Sequence, residues 1–118
     1  MNLKKRLFKL SPHVVRMLIP KEIIGSYILY KLEDNKIIPE YIGRSDFDLR
    51  NRLIRHALNN KAQYFEYMVL DSREKAFNLE CSLFHALSGE ISNKIHPDNP
   101  NNIRISCPIC KGIKSIKS

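Results

Sequence analysis

The sequence predicts a small α/β chain of the α+β kind: a three-stranded sheet, mixed or antiparallel, flanked by helices. Three observations predict it. Two runs of strand-formers, Ser26–Leu32 and Ile37–Ile42, enclose the polar turn Glu33-Asp34-Asn35-Lys36, which is a hairpin signal. A third run, Gln63–Leu70, sets Phe65, Tyr67 and Val69 in alternation with Tyr64, Glu66 and Met68. Between and after these runs the apolar period changes from two to that of a helix, giving the order β, β, α, β, α.

Taken in order, residues 1–21 form a basic arm, with a short helix over His13–Leu18 that Pro20 ends. Its apolar residues, among them Leu7, Leu10, Val14 and Leu18, imply that the arm docks on the body. The hairpin follows, and Gly43 closes its second strand. Ser45 with Asp48 three residues later reads as the start of a helix, and Leu49, Leu53, Ala57 and Leu58 are its apolar stripe. Asp71 with Glu74 starts a second helix, which runs to Ser88 and is ended by Gly89. Residues 92–102 read as loop, so the core spans 22–97 and a basic tail spans 98–118, all within one domain.

Pro39 marks the second strand as an edge or a bulged strand. Its geometry decides where two tyrosines point. A two-residue turn at Asp34-Asn35 with regular pairing puts Tyr27 opposite Ile42, and then Tyr27 and Tyr41 face opposite ways. An odd-length loop, or a bulge at Pro39, brings both to one face.

Composition bounds the function. Hydrophobic residues make up 43% and charged residues 27%, which fits a soluble globular chain. No apolar run approaches the ~18 residues of a membrane span, and Lys9, Pro12 and Arg16 break up any signal-peptide core, so the expected location is cytoplasmic. The net charge of +8 is uneven: residues 1–21 carry +6, residues 104–118 carry +4, and the rest carries −2. Such ends attract a polyanion, or else only keep the chain in solution. Within the core Arg44, Arg50, Arg52 and Arg55 crowd one loop and helix.

Two positions stand out on periodicity alone. Ala76, Leu79, Leu83 and Leu87 define the buried stripe of the second helix, and Glu80 falls within it. An inward carboxylate is costly unless it is paired or bound to a cation, and Arg52 or a divalent metal are the remedies; the plain alternative is a glutamate at the stripe's edge. Arg52 and His56 share a face of the first helix, four residues apart. An ion pair with Asp48 is the ordinary use of Arg52, and a structural role the ordinary one for His56.

Gly25-Ser26-Tyr27, then Tyr41-Ile42-Gly43, an arginine in the next helix, Glu80 and Asn93 together resemble the GIY-YIG nuclease family over roughly residues 23–97. Serine stands where that family's first tripeptide has isoleucine. The resemblance implies a metal-dependent endonuclease acting on DNA, with Glu80 holding Mg2+ or Mn2+; a monomer or weak dimer is expected. A single carboxylate suits those ions, which keep much of their water. It further implies Arg52 as the phosphate-neutralising residue, since guanidinium keeps its charge and matches phosphate oxygens. His56 would hydrogen-bond the nucleophile or a phosphate. Tyr41 would be the general base and Tyr27 would position it, although a phenol with pKa ≈ 10 needs neighbours that stabilise its anion. Arg44 would contact the scissile phosphate and Asn93 would brace the site. Two other readings stand beside it: a nucleic-acid-binding module of the same fold without catalysis, and an interaction protein stabilised by zinc.

The zinc reading rests on separate residues. Cys81 and His85 are one turn apart on the second helix, away from the stripe that holds Glu80, and Cys107-Pro108-Ile109-Cys110 is a knuckle-like pair. Together they make a Cys3His set for a structural Zn2+, with His96 as a competing ligand; three reduced cysteines without metal are the alternative.

Overall fold

The computed structural model describes residues 7–59, 62–92, 97 and 100. Its elements are β1 (Phe8–Lys9), α1 (Pro12–Leu18), β2 (Gly25–Glu33), β3 (Lys36–Ser45), α2 (Leu49–Asn59), β4 (Tyr64–Val69) and α3 (Arg73–Ala86). The sheet has four strands in the order β1-β4-β2-β3, every pair antiparallel. The expected three strands are corrected to four, because Phe8 and Lys9 pair with Phe65 and Tyr64. A two-residue strand carries no period to read. Phe8 packs its ring on Phe65 and Tyr67, and Leu10, Val15 and Ile19 are buried, so residues 8–19 are built into the body.

Strand alternation divides the core into two layers. Tyr27, Leu29 and Phe65 face α1 and α2, where Val15, Leu49, Leu53 and Ala57 meet them. Ile28, Tyr30 and Ile42 face the other way, toward Leu83, Phe84 and Leu87. Ser26 Oγ on that side donates to the Ala76 carbonyl at 2.9 Å, which ties β2 to α3.

The caps differ in detail from those expected. Asp48 starts α2 by accepting from Asn51 N, while Ser45 Oγ accepts from Phe47 N and Asp48 N and shapes the connection before it. Ser72, not Asp71, is the N-cap of α3, accepting from Lys75 N at 3.1 Å. That helix ends at Ala86, with Gly89 at φ +93° just beyond.

The hairpin combines two features that the sequence offered as alternatives. Asp34 and Asn35 both take positive φ, 51° and 64°, and close a two-residue turn that pairs Glu33 with Lys36. Strand pairing then shifts between Leu29 and Tyr30: Tyr30 meets Pro39, Leu29 meets Tyr41, and Glu40 is the extra residue. The bulge restores the parity that the tight turn would have spoiled, and Tyr27 lies opposite Gly43. Tyr27 and Tyr41 therefore share a face. The main-chain N–H and the hydroxyl of Ser92 both donate to the Glu40 carbonyl, at 2.6 and 2.9 Å, and hold the bulge from outside.

Candidate functional site

The face shared by the two tyrosines looks onto α2. Tyr27 and Tyr41 have ring centroids 6.4 Å apart, and each lies 5.3 Å from the His56 ring. Tyr27 Oη and His56 Nε2 share a hydrogen bond of 2.7 Å, in which the phenol donates when the imidazole carries its proton on Nδ1. Gly43 makes room for this. A Cβ at that position would land on the ring and hydroxyl of Tyr27, so the glycine lets the phenol lie flat across β3 toward α2. Gly25 is likewise hemmed in, with the Met68 carbonyl and Leu49 against any added carbon.

β3 is the edge of the sheet, so a cleft beside it can draw residues from both layers. Tyr41, Gly43, Arg44, Asp46, Phe47, Arg52 and Glu80 line a cleft of about 320 Å³ there. Tyr41 and Gly43 come from the α2 side, and Arg44 from the α3 side, because it pairs with Ser26. Arg52 is exposed in the first turn of α2, and Glu80 projects from the middle of α3. No ion pair joins Arg52 to Asp48 among the described residues.

Glu80 is 8% exposed, as the inward position on its helix required. Its partner is Arg44 rather than Arg52: Arg44 donates from one terminal nitrogen to Glu80 Oε1 at 2.5 Å and from Nε to Asp46 Oδ1 at 2.9 Å. The Arg44 guanidinium also sits 5.2 Å from the centre of the Phe77 ring. Burial opposes the charge on Arg44, but the two carboxylates more than offset it and hold its pKa above the ordinary value. Arg44 is therefore a strut between β3, the following loop and α3. Burial pushes the Glu80 carboxyl above its ordinary pKa, and Arg44 takes back only part of the rise.

The two phenols are pushed the same way. Burial, then the neighbouring Tyr41, raises the pKa of Tyr27, with Arg52 pulling against them. Burial and the negative charge of Glu80 raise that of Tyr41, again against Arg52. On balance burial and Glu80 oppose a Tyr41 phenolate, and Arg52 offsets only part of this. Both tyrosines are neutral phenols at neutral pH; Tyr27 is buried against His56, and Tyr41, which lines the cleft, can hold a water or phosphate oxygen by a hydrogen bond.

The buried face of α3 is centred on Ala76, Phe77, Glu80 and Cys81, and Leu79 and Leu83 are only partly covered. Cys81, expected away from that stripe, is fully buried in it, because two sheet-facing positions per turn widen the face to i, i+1, i+4 and i+5. His85 lies in the last turn, its ring edge-on to Phe84. No cluster of three metal-ligating side chains occurs among the described residues. Asn93, His96, Cys107 and Cys110 lie outside the described residues.

Two residues of the cleft escaped the sequence reading. Asp46 and Phe47 belong to the short connection Ser45-Asp46-Phe47-Asp48, where an acid two residues after Arg44 was the available signal. A second cleft of about 210 Å³, lined by Leu29, Glu40, His56, Asn59 and Ser92, shares Tyr41 as its wall with the first. Compared with protein-family models, with curated proteins and with solved structures, the chain matches none.

Proposed function

We propose that this chain is a metal-dependent DNA endonuclease of the GIY-YIG type. One observation carries the reading. Tyr41, Arg44, Arg52 and Glu80, distant from one another in sequence, line a single polar cleft with Tyr27 and His56 behind it. The cleft is of a size for a phosphodiester, and its cationic groups are arginines, the side chain best matched to phosphate oxygens.

The donor set suits a hard divalent cation. Glu80 and Asp46 are two carboxylates in one cleft, and Mg2+ is commonly held by one or two carboxylates with water and substrate phosphate completing the shell. Glu80 would hold it, with Asp46 beside it, and what the ion supplies when bound is positive charge against the departing oxygen. The chain's own groups do the rest. Arg52, exposed and without an acid at ion-pair distance among the described residues, neutralises the charge that builds on the non-bridging oxygens. Neutral Tyr41 orients the attacking water in line. The proton leaves toward the Tyr41–His56–Tyr27 cluster, in which the imidazole is the basic member by type. Arg44 keeps Glu80 aimed into the cleft.

Nicking of supercoiled plasmid with Mg2+ tests this. The native chain should nick; Glu80→Gln and Arg52→Ala should each lower the rate by at least about 100-fold, the scale of removing one group that stabilises transition-state charge. Nicking that survives both substitutions sinks the assignment. The Arg44–Glu80 ion pair favours a second reading, a DNA-binding module of this fold in which the carboxylate is a structural partner only. Binding without nicking in Mg2+ or Mn2+ would decide for it.

A structural Zn2+ on Cys81, His85, Cys107 and Cys110 is a separate proposal, resting on spacing and on the zinc chemistry of thiolates. The full burial of Cys81 requires a zinc there to be buried too. Metal analysis of purified protein should give about one equivalent, lost on Cys107→Ser, and a metal-free chain would end the proposal.

A further inference from the structure

A second basic cleft lies on the other side of the 46–52 segment. Arg16 from α1, Lys21 from the following turn, and Arg50, Asn51 and Ile54 from α2 line about 180 Å³, with Asp48 as its single acid. The segment distributes its residues between the two clefts: Asp46, Phe47 and Arg52 face the first, and Asp48, Arg50 and Asn51 the second.

The cations of this basic cleft stand, like Arg52, without a carboxylate partner among the described residues. Lys31, Arg44 and Lys75 are each engaged by a carboxylate. Arg16, Lys21 and Arg50 have no carboxylate within ion-pair distance among the described residues, and Asp48 accepts from Asn51 N as the cap of α2. Three such cations around a concave surface are a seat for an anion. Phe47 stands at the mouth of the first cleft, 65% exposed, the large phenyl of a loop otherwise made of serine and aspartates. Core packing does not account for its place there.

We infer that Phe47 is a stacking platform for an unpaired base, and that Arg16, Lys21 and Arg50 seat a further phosphate of the same DNA strand. This inference rests on the proposed function, and it names the substrate class: a strand whose base beside the scissile phosphate is free of its partner, as in single strands, flaps and branches. The connection that carries Phe47 lies between the two basic clefts, so a strand that engages both passes the phenyl. A phenyl at that place meets the flat face of the base, which a base inside an intact duplex does not offer.

The test is fluorescence anisotropy of a labelled single-stranded oligonucleotide and of its duplex, in EDTA so that neither is cut. The chain should bind the single strand more tightly. Phe47→Ala should weaken single-strand binding about 10-fold and leave duplex binding within twofold. The triple variant Arg16→Ala, Lys21→Ala, Arg50→Ala should weaken binding to both, and on the single strand its slope of log K against log salt should be shallower by about 0.7 for each phosphate no longer neutralised. Arg16, Lys21 and Phe47 are exposed and Arg50 is half-buried, and a thermal melt of each variant checks that it is folded. An unchanged salt slope, an equal effect of Phe47→Ala on both DNAs, or no DNA binding at all overturns the inference. Binding that follows the pattern in a chain that never nicks would remove the catalytic reading and leave this surface standing; nicking without the pattern would do the reverse.

Discussion

Gly43 gives the most direct handle on how one residue shapes the site. Its lack of a side chain lets the Tyr27 phenol cross the edge strand and reach His56. Gly43→Ala puts a methyl group into that ring, and forced overpacking of this kind costs typically ~1–3 kcal/mol. Denaturant unfolding should show the loss as a lower midpoint at constant slope. In a Tyr27→Ala background the same substitution should cost much less, since the colliding ring is gone. Equal losses in the two backgrounds would mean that the glycine serves the backbone and not the tyrosine. Glu80 was legible at this scale, since an acid on an apolar stripe demands a partner. The identity of that partner was not legible: it follows from the strand register, which puts Arg44 on the α3 side of β3, and from its contacts with Asp46 and Phe77.

Among the elements, the β2–β3 hairpin determines whether a site exists. Its tight turn and its bulge each shift the register by one, and together they leave Tyr27 and Tyr41 on the same side. Deleting Glu40 removes the extra residue and keeps the pairs Leu29–Tyr41 and Tyr27–Gly43, because the bulge lies between those pairs and the turn. The deletion should therefore fold. Its cost should be that of the two Ser92 hydrogen bonds, about 1–3 kcal/mol together, with little added by loss of the surface Lys31–Glu40 ion pair. Chemical denaturation of the shortened chain measures this; failure to fold would mean that the bulge carries strand twist the sheet cannot do without. Sequence could pose the question, through Pro39, without answering it, since turn and bulge are individually compatible with either face. The wide buried face of α3 was hidden for a related reason. Leucines at 79, 83 and 87 draw the eye to one stripe, while Phe77 and Cys81 beside them pack more deeply.

For the whole molecule, the order of strands and helices was readable from the change of apolar period along the chain, and the described residues keep that order. The first strand was not readable, because pairing of Phe8 and Lys9 with β4 is a tertiary choice made by ring packing on Phe65 and Tyr67. That strand and α1 turn what looked like a charged arm into part of the layer under α2, and so bring Arg16 and Lys21 beside Arg50 of that helix. Charge that seemed terminal in sequence is thereby delivered to the middle of the molecule.

The cleft at the sheet's rim has one more consequence. Its walls belong to opposite layers, with Arg52 on the helix of one and Glu80 on the helix of the other, and the rim strand stands between them. Anything gripped there at both walls rivets the two halves together. Fraying of either helix alone then empties the seat, so an occupant would slow the opening of both at once.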